Sequence, residues 1–265
     1  MHINRLSLLN SLFSVFNENP QGDSNYVLAR YFLEHYHELD ELNIYDVAAD
    51  CFVSRSSVRR FCQSIGYDNF LDLKTEFRKY DDQRSYYLQH ADRPNYRQAL
   101  THEINEMIEE LDRRMDAAEE SERLVDRIHD ARYVVFLTSD ASTSTIRDFQ
   151  QSMLFVGKII RLISDAYTDN ELVNSMDEND LLITLSASGI FAYAARDYVE
   201  HCRAKKMLVT VNRDPVFKEY YDHVYHLSAK DRSKESHSVY GRYGIAYMFD
   251  IIYSQYLRKY GTAGR

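Results

Sequence analysis

Five short apolar runs dominate the second half of the chain: YVVFL (133–137), KIIRLI (158–163), DLLITLS (180–186), KMLVTVN (206–212) and HVYHLS (223–228). Between the first four lie segments of helical length, such as 142–156 and 191–203. A strand that is apolar along its whole length has to be covered on both faces, and that is a property of parallel sheets. Strand–helix alternation of this kind predicts an α/β doubly wound parallel five-stranded sheet. A last helix over about 236–259 closes the chain.

The first eighty residues read as all helix. Apolar side chains at Val27, Leu28, Tyr31, Phe32 and Tyr36 follow a helical period within 26–39. Asn43 is placed to cap a short helix over 44–51, with Val47 and Ala48 inward. Ser54 then caps a second helix to about Ile65, and Gly66 stands where a helix usually stops. Residues 81–95 are polar and aperiodic, and 96–115 resume a strong helical stripe through Leu100, Ile104, Met107, Ile108 and Leu111. These patterns divide the 265 residues into an all-α domain (1–80), a linker (81–95) and an α/β domain (96–265).

No apolar run is long enough to span a membrane. The first twenty residues resemble a signal sequence only until Asn10, Ser11 and Ser14 interrupt them, and an amphipathic helix is expected there instead. Three scattered cysteines, Cys51, Cys62 and Cys202, form no metal or disulfide pattern. The expectation is a reduced, cytoplasmic protein with no membrane partner, no metal and no cofactor.

The net charge of −9 conceals a local reversal. Residues 1–50 carry two arginines against eight carboxylates, whereas 51–80 carry six cations against three. Between Val53 and Tyr67 there is no acidic residue at all, yet Arg55, Arg59 and Arg60 stand among Ser54, Ser56 and Ser57. A basic patch on an acidic chain matches nucleic acid electrostatically. The spacing also suits a helix-turn-helix, in which Ala48 lets two helices approach and Val58 and Phe61 point inward. The groove-facing residues would then be Ser54, Arg55, Ser56, Ser57, Arg59 and Arg60. Phe52 occupies the turn position where glycine would be easiest, so a looser or differently shaped turn is expected.

The run IYDVAADCFVSRSSVRRFCQSIGYDNFLDLK (44–74) resembles the N-terminal domain of the RpiR family of bacterial transcription regulators. The matching positions are Val53, Ser54, Val58, Arg60, Phe61, Ile65, Gly66, Tyr67, Phe70, Leu73 and Lys74. The resemblance implies dimeric, sequence-specific binding of a double-stranded DNA operator, with 54–60 as the reading helix and Tyr67 and Lys74 among the contacts.

Such regulators join this module to a sugar-isomerase (SIS) domain, and residues 120–230 are similar to one. Asp140, Ala141, Ser142, Asp148, Gly157 and Lys158 fall in its register. The resemblance implies an effector, a phosphosugar or other sugar derivative, at the carboxyl ends of the strands. Ser139, Asp140, Ser142, Ser186, Ser188 and Gly189 would hold it. The chain departs from the pattern at Thr138 and Asp140, where glycines are usual, and at Ile190 and Phe191, where glutamate and threonine are usual.

Three uses of that site stay open: a modified phosphosugar site, a site for a less charged ligand, and a sheet retained for dimerisation. Ser186 and Ser188 equally suit helix caps. No general base is evident, and His223, His226 and His237 fit no metal spacing, so the expectation is a regulator and not an enzyme. Its expected role is control of sugar or amino-sugar metabolism as a homodimer or dimer of dimers. A sugar-phosphate isomerase and a constitutive DNA-binding dimer with a degenerate, ligand-free SIS domain are the alternatives. The tyrosine stripe of the last helix (Tyr240, Tyr243, Tyr247, Tyr253, Tyr256, Tyr260) suits core packing and, with partial burial, a dimer contact.

Overall fold

The computed structural model describes residues 8–77, 92–117, 120–139, 142–164, 169–234 and 239–261. The chain divides into two compact units, Met1–Ala91 and Asp92–Arg265. Most of the expected linker, 81–91, lies outside the described residues, as do Asp140 and His237.

The first unit is helical: α1 (Leu8–Glu18), α2 (Ser24–Glu34), a 3-10 turn (Tyr36–Glu38), α3 (Ile44–Asp50), α4 (Arg55–Ser64) and α5 (Phe70–Phe77). Its core collects Leu12, Leu28, Phe32, Val47, Val58, Phe61, Cys62 and Leu73, all essentially dry. Phe32 is central, with ring centroids 5.7 Å from Phe61 and 5.9 Å from Phe70. The caps expected for α3 and α4 are present. Asn43 accepts from the backbone of Tyr45 and Asp46, and Ser54 accepts from Ser57. Gly66 terminates α4 with φ 92°.

The turn between α3 and α4 is tight. Phe52 adopts φ 54°, making it the one non-glycine residue with positive φ among those described. Backbone bonds from Phe52 N to Ala49 O and Val53 N to Ala48 O close it. Sequence reasoning expected the bulky side chain to loosen this turn. Instead the chain accepts a left-handed residue, at a cost of about 1 kcal/mol, because α3 and α4 have to cross closely enough to bury Ala48 and Val58.

In the second unit, α6 (Tyr96–Ala117) and α7 (Glu120–Asp130) lead into β1 (Val134–Thr138), α8 (Thr143–Leu154) and β2 (Ile160–Ser164). There follow α9 (Asn170–Ser175), β3 (Leu181–Leu185), α10 (Ile190–Ala194) and α11 (Arg196–Glu200). Then come β4 (Lys205–Thr210), a 3-10 turn (Pro215–Glu219), β5 (His223–His226), a π turn (Tyr240–Gly244) and α12 (Ile245–Tyr260). All pairings are parallel, in the order β2-β1-β3-β4-β5. The expected fold class, a helix-turn-helix domain followed by a doubly wound five-stranded parallel sheet, is the observed one. β1 and β3 are buried at every position.

Differences are local. The helix expected over 191–203 is divided at Ala195 into α10 and α11. Two helices, α7 and α9, had no separate expectation. Of the tyrosine stripe of α12 and its π turn, Tyr240 and Tyr256 are buried, Tyr247, Tyr253 and Tyr260 are partly buried and Tyr243 is exposed. Tyr240 bonds Glu110, Tyr247 bonds Asp112, Tyr260 bonds Asp126 and Tyr256 lies 3.1 Å from His129. These hydroxyls tie the last helix and the π turn to α6 and α7 within the chain. At the amino ends of the strands, fully buried Asp180 accepts two bonds from Arg132 (3.0 and 2.8 Å) and backbone bonds from Tyr133 and Asp177. Such a charge is tolerable only because each oxygen is satisfied.

His226 ends β5 in a partly buried position, where burial, then Arg213 and Arg114, depress its pKa from 6.5 to about 4. Glu120 acts in the opposite sense and Lys218 in the same sense. The unfolded chain therefore binds more protons between pH 6.5 and 4, so this stabilisation is complete above 6.5 and is lost as pH falls toward 4. Replacing His226 by Gln should flatten the stability curve in that window, measured as urea midpoint against pH. An unaltered acid slope would show that His226 is not the responsible group.

Candidate nucleic-acid interface and effector site

The helix-turn-helix sets the rotation of α4. Val58, Phe61, Cys62 and Ile65 face the core, which leaves Ser54, Arg55, Ser56, Arg59 and Arg60 exposed and Ser57 half-buried. The first turn carries a linked hydroxyl cluster, with Ser54 Oγ 2.7 Å from Ser56 Oγ and 2.9 Å from Ser57 Oγ. Arg60 Nη2 donates to Ser57 Oγ at 3.3 Å. Arg55 stacks over the ring of Tyr45, 4.6 Å from its centroid. Among the described residues, no carboxylate is paired with Arg55, Arg59 or Arg60. Three cations thus remain uncompensated on one face of an acidic protein. That arrangement can meet a polyanion without first breaking an ion pair.

Two expected contacts are placed elsewhere. Tyr67 is 1% exposed and belongs to the core. Lys74 is half-buried, with Nζ 2.7 Å from the carbonyl of Leu42 and 5.8 Å from the Phe70 ring centroid. Both positions hold the unit together: one fills it, the other fastens α5 to the loop before α3. Tyr45 was missed. Its signal, an aromatic ring in the helix before the arginines, is visible in sequence, but its pairing with Arg55 depends on how α3 and α4 cross.

In the second unit, strand order reverses between β1 and β3, and ligands in such sheets bind outside the carboxyl ends at that point. The structure brings both expected loops there. Ser139 and Ser142 follow β1, with Ser142 N donating to Ser139 O, and Ser186, Ser188 and Gly189 follow β3. Among the described residues, the strand ends there are joined by side chains. Thr138, at a usual glycine position, is fully buried and donates to the carbonyl of Leu185 at 3.0 Å.

The second loop is also self-satisfied. Ser186 Oγ accepts from Ala192 N at 3.2 Å, and Ser188 Oγ lies 3.4 Å from Ile190 N. Both serines therefore cap α10. Asn212, from the loop after β4, donates to Ser188 O and accepts from Asp214 N. Its amide packs so closely on Gly189 that a Cβ there would lie 2.7 Å from Nδ2. Of the two departures after Gly189, Phe191 is buried and Ile190 is exposed.

Near the end of β5, Glu110 accepts bonds from Tyr240, Ala229 and Ser228. Burial would raise its pKa, but those bonds hold it below the usual carboxylate range. A carboxylate so stabilised is a poor proton acceptor at neutral pH. Beside it a cavity of about 710 Å³ is lined by Glu106, Glu109, Arg113, Arg114, Lys230 and Arg232 among others, and by none of the loop serines. His223 is 3.4 Å from Glu120. Among the described residues no His/Cys/Asp/Glu group has a metal-binding arrangement, and no helix is long and apolar enough to cross a membrane.

Comparison with known proteins identifies the N-terminal module. Residues 6–84 match the helix-turn-helix domain of the rpiR family. The HTH-type transcriptional regulator GlvR of Bacillus subtilis (strain 168) is 25% identical over 187 residues, covering 69% of this chain and just under two thirds (66%) of that protein. Among solved structures, NanR of Vibrio vulnificus complexed with ManNAc-6P aligns with 96% of this chain and 92% of its own at 18% identity, TM-score 0.46. The sugar isomerase domain of an RpiR transcription factor from Sphaerobacter thermophilus aligns with 62% of this chain and 92% of its own at 14% identity, TM-score 0.45.

Gly189 has φ 87° and no room for a side chain. Gly189→Ala should therefore destabilise the chain by about 1–3 kcal/mol. The double variant Gly189→Ala/Asn212→Gly should recover part of that loss in urea denaturation. No recovery would mean that backbone conformation alone, and not the Asn212 contact, requires glycine.

Proposed function

We propose that this chain, whose residues 6–84 match the helix-turn-helix domain of the rpiR family, is a transcription regulator that reads operator DNA through α4 as a dimer. In this reading the sheet domain adjusts DNA affinity in response to a sugar-derived effector, and the genes controlled serve sugar or amino-sugar metabolism. The observation that carries the DNA reading is the set of exposed, carboxylate-free arginines Arg55, Arg59 and Arg60 on one capped helix. Helix-turn-helix recognition places the first turns of such a helix in the major groove. Arginine supplies both phosphate neutralisation and base contacts. The effector acts by binding one arrangement of the dimer better than another, since only differential affinity shifts an equilibrium. No turnover is assigned: Glu110, near the end of β5, is held in its ionised form by three donors.

A second reading of the sheet domain is favoured by a specific observation. Thr138 bonds the end of β3, Asn212 packs on Gly189, and Ser186 and Ser188 meet backbone N–H groups in the first turn of α10. This supports either an effector that carries less charge than a phosphosugar or a domain that serves dimerisation alone. Thermal-shift titration of the full chain with sugar phosphates, hexosamines and free sugars separates these. A shift with phosphosugars only supports the first reading, one with uncharged sugars the smaller-charge variant, and none at millimolar concentration the dimerisation role.

For the DNA site, duplexes enriched from a random library by the full chain supply the probe. Arg60→Ala should weaken binding to them and lower the slope of log affinity against log salt by about one, with sedimentation showing an unchanged oligomeric state. A wild-type chain that enriches no sequence at low salt would remove the DNA reading.

A further inference from the structure

The three arginines of α4 are not equivalent. Arg60 leans on the Ser57 hydroxyl, whereas the Arg55 guanidinium sits over an aromatic ring contributed by the preceding helix, Cζ 4.6 Å from its centroid. That ring, Tyr45, is 64% exposed, so it is not there to fill the core. Its backbone is nonetheless fixed, because Tyr45 N donates to Asn43 Oδ1 at 2.8 Å in the cap of α3. Arg55 is equally fixed at its root, as the first residue after the Ser54 cap. Two capped helix starts thus bring one planar cation and one π face together at the rim of the exposed face.

We propose that Arg55 reads a guanine edge in the major groove and that Tyr45 is its positioning residue. The proposal rests on the assignment of α4 as the DNA-reading helix and adds which arginine discriminates bases, and how it is aimed. A guanidinium has five donors in one plane. Stacking covers one face of that plane and leaves the edge available, which is the geometry a fork needs to reach guanine O6 and N7 together. Phosphate contacts need charge but tolerate varied direction, whereas base edges require a defined one. A long side chain already restrained by stacking also loses less freedom on binding. The other three bases lack guanine's adjacent pair of acceptors, so an aimed Arg55 converts position into sequence preference.

The test uses the full chain and duplexes enriched from a random library by the wild type. Arg55→Ala should lose on the order of tenfold in affinity, and its own enriched motif should no longer require guanine at one position of each half-site. Tyr45→Ala should lose about threefold, Tyr45→Phe less than twofold because the ring remains, and the double variant Tyr45→Ala/Arg55→Ala no more than Arg55→Ala alone. Tyr45→Leu, which keeps bulk without a π face, replaces Tyr45→Ala should that variant melt early. An unchanged motif and affinity for Arg55→Ala overturn the base-reading assignment. Equal losses for Tyr45→Phe and Tyr45→Ala, or a Tyr45→Ala loss that persists without Arg55, overturn the positioning role. Failure of the wild type to enrich any motif instead strikes the DNA assignment of α4 and is distinguishable from both.

Discussion

Val58, Phe61, Cys62 and Ile65 have to leave water together, and they do so in one core with Phe32, Val47, Ala48, Phe70 and Leu73. That requirement fixes the rotation of α4 about its axis. Once it is satisfied, the residues between these apolar positions have no choice but to face outward, and they are arginine and serine. It also fixes the distance between α3 and α4. The left-handed Phe52, unfavourable for an aromatic residue, is sustained because the burial gained at this crossing exceeds the strain. The same crossing brings Tyr45 under Arg55. Charge presentation and backbone strain are two consequences of one packed stripe.

The sheet domain is organised from both ends of its strands. At the amino ends, buried Asp180 holds Arg132, Tyr133 and Asp177 in register. At the carboxyl ends, Thr138, Thr210 and Asn212 cross-link the strand ends and loops where ligands in doubly wound sheets are usually met.

Much of the architecture was legible because it depends on local pattern. Apolar runs of five to seven residues placed all five strands within about two residues, and Asn43, Ser54 and Gly66 marked helix ends through chemistry that acts over two or three residues. The arginine face was legible for the same reason, since helical spacing alone separates inward from outward positions. Tyr67 belongs to the core, because a family motif records which residues recur, not whether they recur for packing or for contact.

The sequence by itself determined the two fold classes, the order of elements and the charge reversal around α4, because periodicity and composition are properties of neighbouring residues. Tertiary structure alone decided that Asn212 would seat against Gly189, that Glu110 would be claimed by Tyr240 and the loop after β5, and that Tyr45 would carry Arg55. Glu110 and Tyr240 lie 130 positions apart. No local signal foretells such a meeting, which follows only when buried faces have fixed how helices and strands lie against one another.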